Sequence, residues 1–212
     1  MQPVPKSGHR RVLIVLCAIG GFVLCLAAKE FVKPAAQPAK TYPAHDDHAD
    51  EKVAIGADPY DTAGKAKIFS INFHEHGLLP VFFVVTNDGN QPISIAHMQV
   101  TLTTVNRDKL TPDSPDDIYR RLTNPHANTA PPLPLPIPHK DVKGTISRKQ
   151  MDEIESAQFS ARAVEPHATQ SGFLFFDVED IDAPLAGARI YVSGVNDAKG
   201  NELMYFEIPM GK

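Results

Sequence analysis

The chain has no tryptophan and only two cysteines in 212 residues. Both cysteines, Cys17 and Cys25, fall inside one apolar N-terminal run. The rest of the chain therefore has no thiol for a disulfide, a zinc site or a cysteine nucleophile. Signature motifs are missing too. There is no Gly-x-Ser-x-Gly elbow, no His-Glu-x-x-His pair, no Gly-rich phosphate loop and no EF-hand loop. Cations are also in deficit, with 21 Lys and Arg against 25 Asp and Glu. Such a balance excludes nucleic-acid binding driven by phosphate electrostatics.

Proline, in contrast, is abundant: 19 residues, nearly twice average usage, which is roughly 5%. That excess argues against a helical bundle, because proline removes a helix hydrogen bond and clashes in the interior. Hydrophobic residues at 42% argue against a disordered polar chain.

Residues 1–11 carry Lys6, Arg10 and Arg11 and no acid. Residues 12–28 then run without a charge. The length suits a short membrane span with a cytoplasmic N-terminus, or the core of a cleaved signal peptide. Cys25-Leu26-Ala27 offers a small-x-small cleavage pattern. Lipidation is disfavoured, since Leu16 and Leu24 stand where a small residue is expected. The basic flank predicts a single-pass protein of the cytoplasmic membrane, with its C-terminal domain in the periplasm. Secretion after cleavage is the alternative.

Residues 29–52 contain Pro34, Pro38 and Pro43, much Ala and little periodicity, and are expected to form an extended linker. From residue 53 the pattern becomes that of strands. Lys67–Phe73 alternates, with Phe69, Ile71 and Phe73 on one face. Leu78–Thr86 is a dense apolar run expected at the centre of a sheet. Asp88-Gly89 predicts a hairpin into a long strand over Ile93–Val105. Further strands are expected at Phe159–Glu165, Ser171–Val178, Ala188–Val195 and Glu202–Ile208, the last two joined by a loop at 196–201. Ser114 and Pro115 predict a helix over 115–122, and Ser147 one over 148–157 with Met151, Ile154 and Ala157 inward. The expected class is all-β: an antiparallel β-sandwich over 53–212, with a helical and Pro-rich insertion at about 110–158.

The stretch VVTNDGNQPISI, the later Pro-His-x-Thr-x-Ser-Gly-Phe-Leu-Phe-Phe and the closing GVNDAKGNELMYFEI resemble bacterial immunoglobulin-like envelope domains. The resemblance spans about residues 53–210. It implies an immunoglobulin-like sandwich and an envelope location, and no catalytic residue. The paired cysteines and core Trp of antibody-type domains are lacking.

Four clusters carry candidate chemistry. His74 and His76, two apart, would share a face if they lay in a strand, and His97 is a conceivable third metal ligand. Against this stands an ordinary surface turn before Gly77. His45-Asp46-Asp47-His48, with Asp50 and Glu51, is either a loose metal or proton buffer or an acidic spacer. Asp177, Asp180 and Asp182, with Glu179, form either a calcium-binding strand end or a charged turn. Pro131, Pro132, Leu133, Pro134, Leu135, Pro136, Ile137 and Pro138 have the form of a polyproline II ligand for a partner, or else pack on a sheet edge. His167 near Ser171 reads as turn chemistry. No cofactor is expected. The expected role is a non-enzymatic, membrane-anchored structural or protein-binding module with an envelope partner. A metal- or small-ligand-binding accessory domain is second, and an envelope enzyme with a scattered site is third.

Overall fold

A computed structural model describes residues 31–123 and 146–211. The apolar run at 12–28 and the Pro-rich segment at 131–138 lie outside the described residues. Among those described, no helix is long and apolar enough to cross a membrane. The architecture is predominantly β, and every strand pair is antiparallel.

The first sheet has the order β1 (Ala44–His48), β2 (Val53–Pro59), β3 (Leu78–Asn87), β8 (Ala168–Asp177). The second has the order β10 (Phe206–Pro209), β9 (Arg189–Ser193), β5 (Gln99–Thr103), β6 (Lys109–Leu110). A small pair joins β4 (Ile93–Ser94) to β7 (Ala163–Val164).

All ten residues of β3 are buried. Alternation explains how. Leu79, Val81, Phe83 and Val85 face a core shared with Val100, Leu102, Ile190, Val192, Phe206 and Ile208 of the second sheet. Leu78, Phe82 and Val84 face a second core on the opposite side, with Phe173 and Phe175 of β8. Pro80 is tolerated mid-strand because it stands one residue past the last β2–β3 pair, Pro59 with Val81. Its missing N–H thus falls outside that ladder, while its carbonyl accepts Tyr60 N–H at 2.9 Å.

The second core is closed by a third layer, not by solvent. It consists of the segment from Phe31 to Tyr42, the loop from Tyr60 to His76, and helices α2 (Pro115–Thr123) and α3 (Arg148–Ala157). A single turn, α1 (Ala63–Ala66), lies within that loop. Ser147 and Gln150 close a reciprocal capping box at the start of α3. Ile154 and Ala157 of α3 and Ile118 of α2 are buried. Glu153 is also buried, and its carboxylate accepts Ser70 N–H at 2.8 Å and Ser70 Oγ–H at 2.5 Å. The Tyr119 hydroxyl ties the helices together through Met151 O, 3.0 Å, and Glu155 Oε1, 3.1 Å.

Several expectations are corrected. Residues 31–52 are not a free linker in the structure. Phe31 stacks on Phe69 with ring centroids 5.4 Å apart. The Ala39 N–H donates to Thr86 Oγ1 at 2.9 Å. Glycine is what lets this strap lie on the sheet: a Cβ on Gly56 would stand only 2.7 Å from the Ala39 carbonyl oxygen. Residues 67–73 keep the expected alternating burial, with Phe69, Ile71 and Phe73 inward, but belong to no strand. Turns and bends carry these residues, so the alternate burial arises without a strand.

Asp88-Gly89 makes no hairpin, because β3 pairs with β2 and β8 and the chain crosses to β4. Asn87 holds that crossing, donating through Nδ2 to Gln91 O and Val164 O and accepting Gly89 N–H. The long strand at 93–105 is broken by a turn in which Met98 N–H donates to Ile95 O. Only Ala163–Val164 of the 159–165 segment pairs as a strand. Met151 is exposed, since the inward stripe of α3 runs through Glu153, Ile154 and Ala157 instead.

Two glycines have opposite roles. A Cβ on Gly172 of β8 would stand 2.4 Å from the Phe159 Cα, whereas one on Gly64 would meet nothing within 4 Å. Gly172→Ala should cost about 2 kcal/mol in urea unfolding, and Gly64→Ala should stabilise by about 0.5 kcal/mol. Equal midpoints for the two variants would refute this packing of Phe159 on β8.

Candidate ligand-binding cleft

The 3₁₀ turn Phe73–His76 ends on Gly77, whose φ of +66° is left-handed. A Cβ at Gly77 would lie 2.6 Å from the Glu179 Cβ. Glycine thus lets the start of β3 approach the segment after β8, and Val178 N–H donates to Gly77 O at 2.8 Å. Between this turn, Tyr60-Asp61 and residues 178–186 lies a cleft of about 560 Å³. Its walls are apolar: Leu78, Leu79, Pro80, Val178, Ile181 and Leu185. Its polar groups are Tyr60, Asp61, His74, Glu179 and Asp182. A hollow of about 290 Å³ adjoins it, sharing Tyr60, Asp61, His74 and Pro80 as walls. Apolar walls with a few convergent polar groups are the usual make-up of a small-molecule site, and the volume is in the usual range.

Beside the cleft, Arg121 of α2 is buried and bridges two carboxylates at the end of β8. It donates from Nη2 to Asp177 Oδ2 and from Nη1 to Glu179 Oε2, the latter at 2.9 Å. Asp113, whose N–H donates to Phe175 O at 2.7 Å, completes the cluster. Burial pushes the Asp113 carboxyl up to about 6, helped by the charge of Asp177 and opposed by Arg121. Tyr60 is likewise raised, first by burial and then by the charge of Asp58.

The carboxylates read as a calcium candidate are therefore partly claimed by an arginine. Asp177 also accepts Glu179 N–H through Oδ1, and Asp182 stands apart at the cleft. The proposed histidine set is not assembled either. His74 and His76 lie in a 3₁₀ turn, where residues two apart do not share a face as they do in a strand. His97 lines a hollow with Ile93, Asn196 and Gly200, next to the β4–β7 pair at the far end of β3. Among the described residues, no group of three or more His, Cys, Asp or Glu has the geometry to hold a metal ion.

The cluster from His45 to Glu51 is structural. It forms β1 and joins the edges of the two sheets. Asp46 Oδ2 accepts Glu207 N–H at 2.8 Å, and Glu51 Oε1 accepts Met204 N–H at 3.1 Å. The His48 ring lies on Phe206 with centroids 4.0 Å apart, its Nδ1 2.8 Å from Glu51 Oε2 and its Nε2 3.3 Å from Asp46 Oδ2. His167, at φ +55°, contacts Asn90 Oδ1 at 3.0 Å, joining two loops 77 residues apart in sequence. The polyproline candidate, Pro131 to Pro136, lies outside the described residues.

Of the cleft residues, Asp182 was singled out only as part of the calcium candidate, and Tyr60, Asp61, Ile181 and residues 183–186 were not singled out by sequence. No local pattern links segments more than a hundred residues apart. One signal was present: Arg121 shares the inward face of α2 with Ile118, three residues before it. An arginine on that face requires buried acceptors. No family model matches the chain, and neither does any curated protein or solved structure.

Folding raises the Asp113 pKa, so the sign of its linkage follows. Its stabilising contribution is full below the ordinary value of 3.8 and is lost as pH rises through about 6. Asp113→Asn should remove that fall from the stability–pH profile. At pH 7 it should stabilise by about 1 kcal/mol, allowing for the half-exposed setting. Urea midpoints from pH 3.5 to pH 8, on the order of five points spanning the Asp range, measure it. Parallel profiles for variant and parent would remove Asp113 as the cause.

Proposed function

We propose that the chain is a single-pass envelope protein, anchored through residues 12–28, whose immunoglobulin-like domain binds a protein partner and performs no chemistry. Two four-stranded antiparallel sheets around a shared core support the sandwich reading. The observation that carries the non-catalytic reading is the use made of the acidic and histidine clusters. Asp46, His48 and Glu51 hold β1 to β10, Asp177 and Glu179 hold Arg121, and Glu153 holds Ser70. These acidic and histidine side chains are spent on joining one part of the fold to the next.

A second reading is favoured by the cleft. Its apolar walls and the acidic groups Asp61 and Asp182 suit a small apolar ligand with a cationic end. Filling it through Ala186→Trp should abolish any thermal shift given by hydrophobic amines. A shift that survives the substitution would place the amine elsewhere.

The topology has a direct test. Protease added to spheroplasts should degrade the domain while a cytoplasmic marker stays intact. Protection of the domain would overturn the periplasmic orientation. Crosslinking in native membranes should then capture one partner reproducibly, and repeated recovery of the uncrosslinked monomer would count against the binding role.

A further inference from the structure

A packed residue, Phe31, lies almost where the apolar run stops. Only Lys29 and Glu30 separate Ala28 from Phe31. Phe31 is fixed in the third layer, stacked on Phe69 and edge-on to Phe173 at 6.4 Å. Three residue steps reach at most about 11 Å. The headgroup zone beyond the hydrocarbon is itself roughly 5–8 Å deep on each side. A domain with a fixed residue so close to the run has no slack to stand clear of a bilayer.

The surface around Phe31 suits that neighbour. Val32 is 74% exposed. Lys33 is exposed, and its Nζ donates to Ser171 O at 3.2 Å. Lys67 and Lys149 line a hollow with Phe69, the residue on which Phe31 stacks. Both also have partners within the protein, so they act through the field of the patch. Lysines at an anionic membrane surface are each worth about 1 kcal/mol. The other large face of the domain is different in kind. The outer side of the second sheet presents Gln99, Thr101, Thr103, Tyr191 and the Arg189–Glu207 pair.

We infer that the domain lies directly on a lipid bilayer through the surface of Val32, Lys33, Lys67 and Lys149, with the outer face of the second sheet turned away from it. This rests on the reading of residues 12–28 as a membrane span. The layer order then sets the orientation: third layer at the headgroups, first sheet above it, second sheet outermost.

The test uses the full chain in phosphatidylcholine–phosphatidylglycerol vesicles, with Cys17→Ala and Cys25→Ala as background. A fluorophore is placed in turn at Val32→Cys, Lys67→Cys and Gln99→Cys, all exposed positions. Headgroup spin-labelled lipid should quench the first two several-fold more than the third. The contrast should weaken when Lys33→Glu and Lys149→Glu are added to the Val32→Cys protein. Quenching at Gln99 that equals or exceeds that at Val32, in protein that floats with the vesicles, would overturn the inference while leaving the span intact. Protein that fails to float would overturn the span, and the inference with it.

Discussion

The central strand of the first sheet has no face turned to water. β3 buries all ten of its residues, one alternation against the second sheet and the other against the strap, loop and helices. A sheet apolar on both sides cannot exist as half of a simple two-layer sandwich, because one face would be left wet. The third layer is therefore a requirement of Leu78, Phe82, Val84, Phe173 and Phe175, and the rest of the structure is arranged to supply it. The strap brings Phe31 and Ala39, the loop brings Phe69, Ile71 and Phe73, and the helices bring Ile118 and Ile154.

Supplying a layer from four separate segments leaves many joints, and polar side chains occupy them. Glu153 receives the backbone and hydroxyl of Ser70, Arg121 ties α2 to the end of β8, and Asn87 secures the crossing into β4. These are buried or half-buried groups, where an unmet hydrogen bond is more costly than at the surface. No described buried side-chain nitrogen or oxygen lacks a partner. The acidic character of the domain thus has an internal use besides its surface one.

Much of this was legible in sequence, and the illegible part has a common cause. β3, β8, β9 and both helices announce themselves through local signals: dense β-branched and aromatic runs, a Ser N-cap, a Pro at the first helical turn. Phe69, Ile71 and Phe73 were correctly placed inward, though the period of two was mistaken for a strand. The pairing of β9 with β10 across the loop at 196–201 was read correctly, but most other inferences about partners failed. Asp88-Gly89 has a hairpin's composition, yet β3 already has both neighbours. His45 to Glu51 has a spacer's composition, yet its carboxylates meet N–H groups of residues 204 and 207. His74, His76 and His97 are plausible ligands one by one, but lie at different ends of a ten-residue strand. The cleft is the extreme case, since its walls come from residues 60–61, 74–80 and 178–186. Side-chain chemistry is local, and tertiary pairing is not.

The pairing order has a consequence for how such a chain must fold. β3 meets β8 along its whole length, some ninety residues later, and β1 meets β10 only when the strand at 206–209 exists. A chain emerging from its N-terminus would hold β1, β2 and β3 as a ribbon with an open apolar edge until residue 168 and beyond had followed. Contacts so distant in sequence close slowly, and open edges of this kind invite aggregation. Time spent half-made, as much as final stability, is then the hazard built into placing the most apolar strand third and its last neighbour eighth.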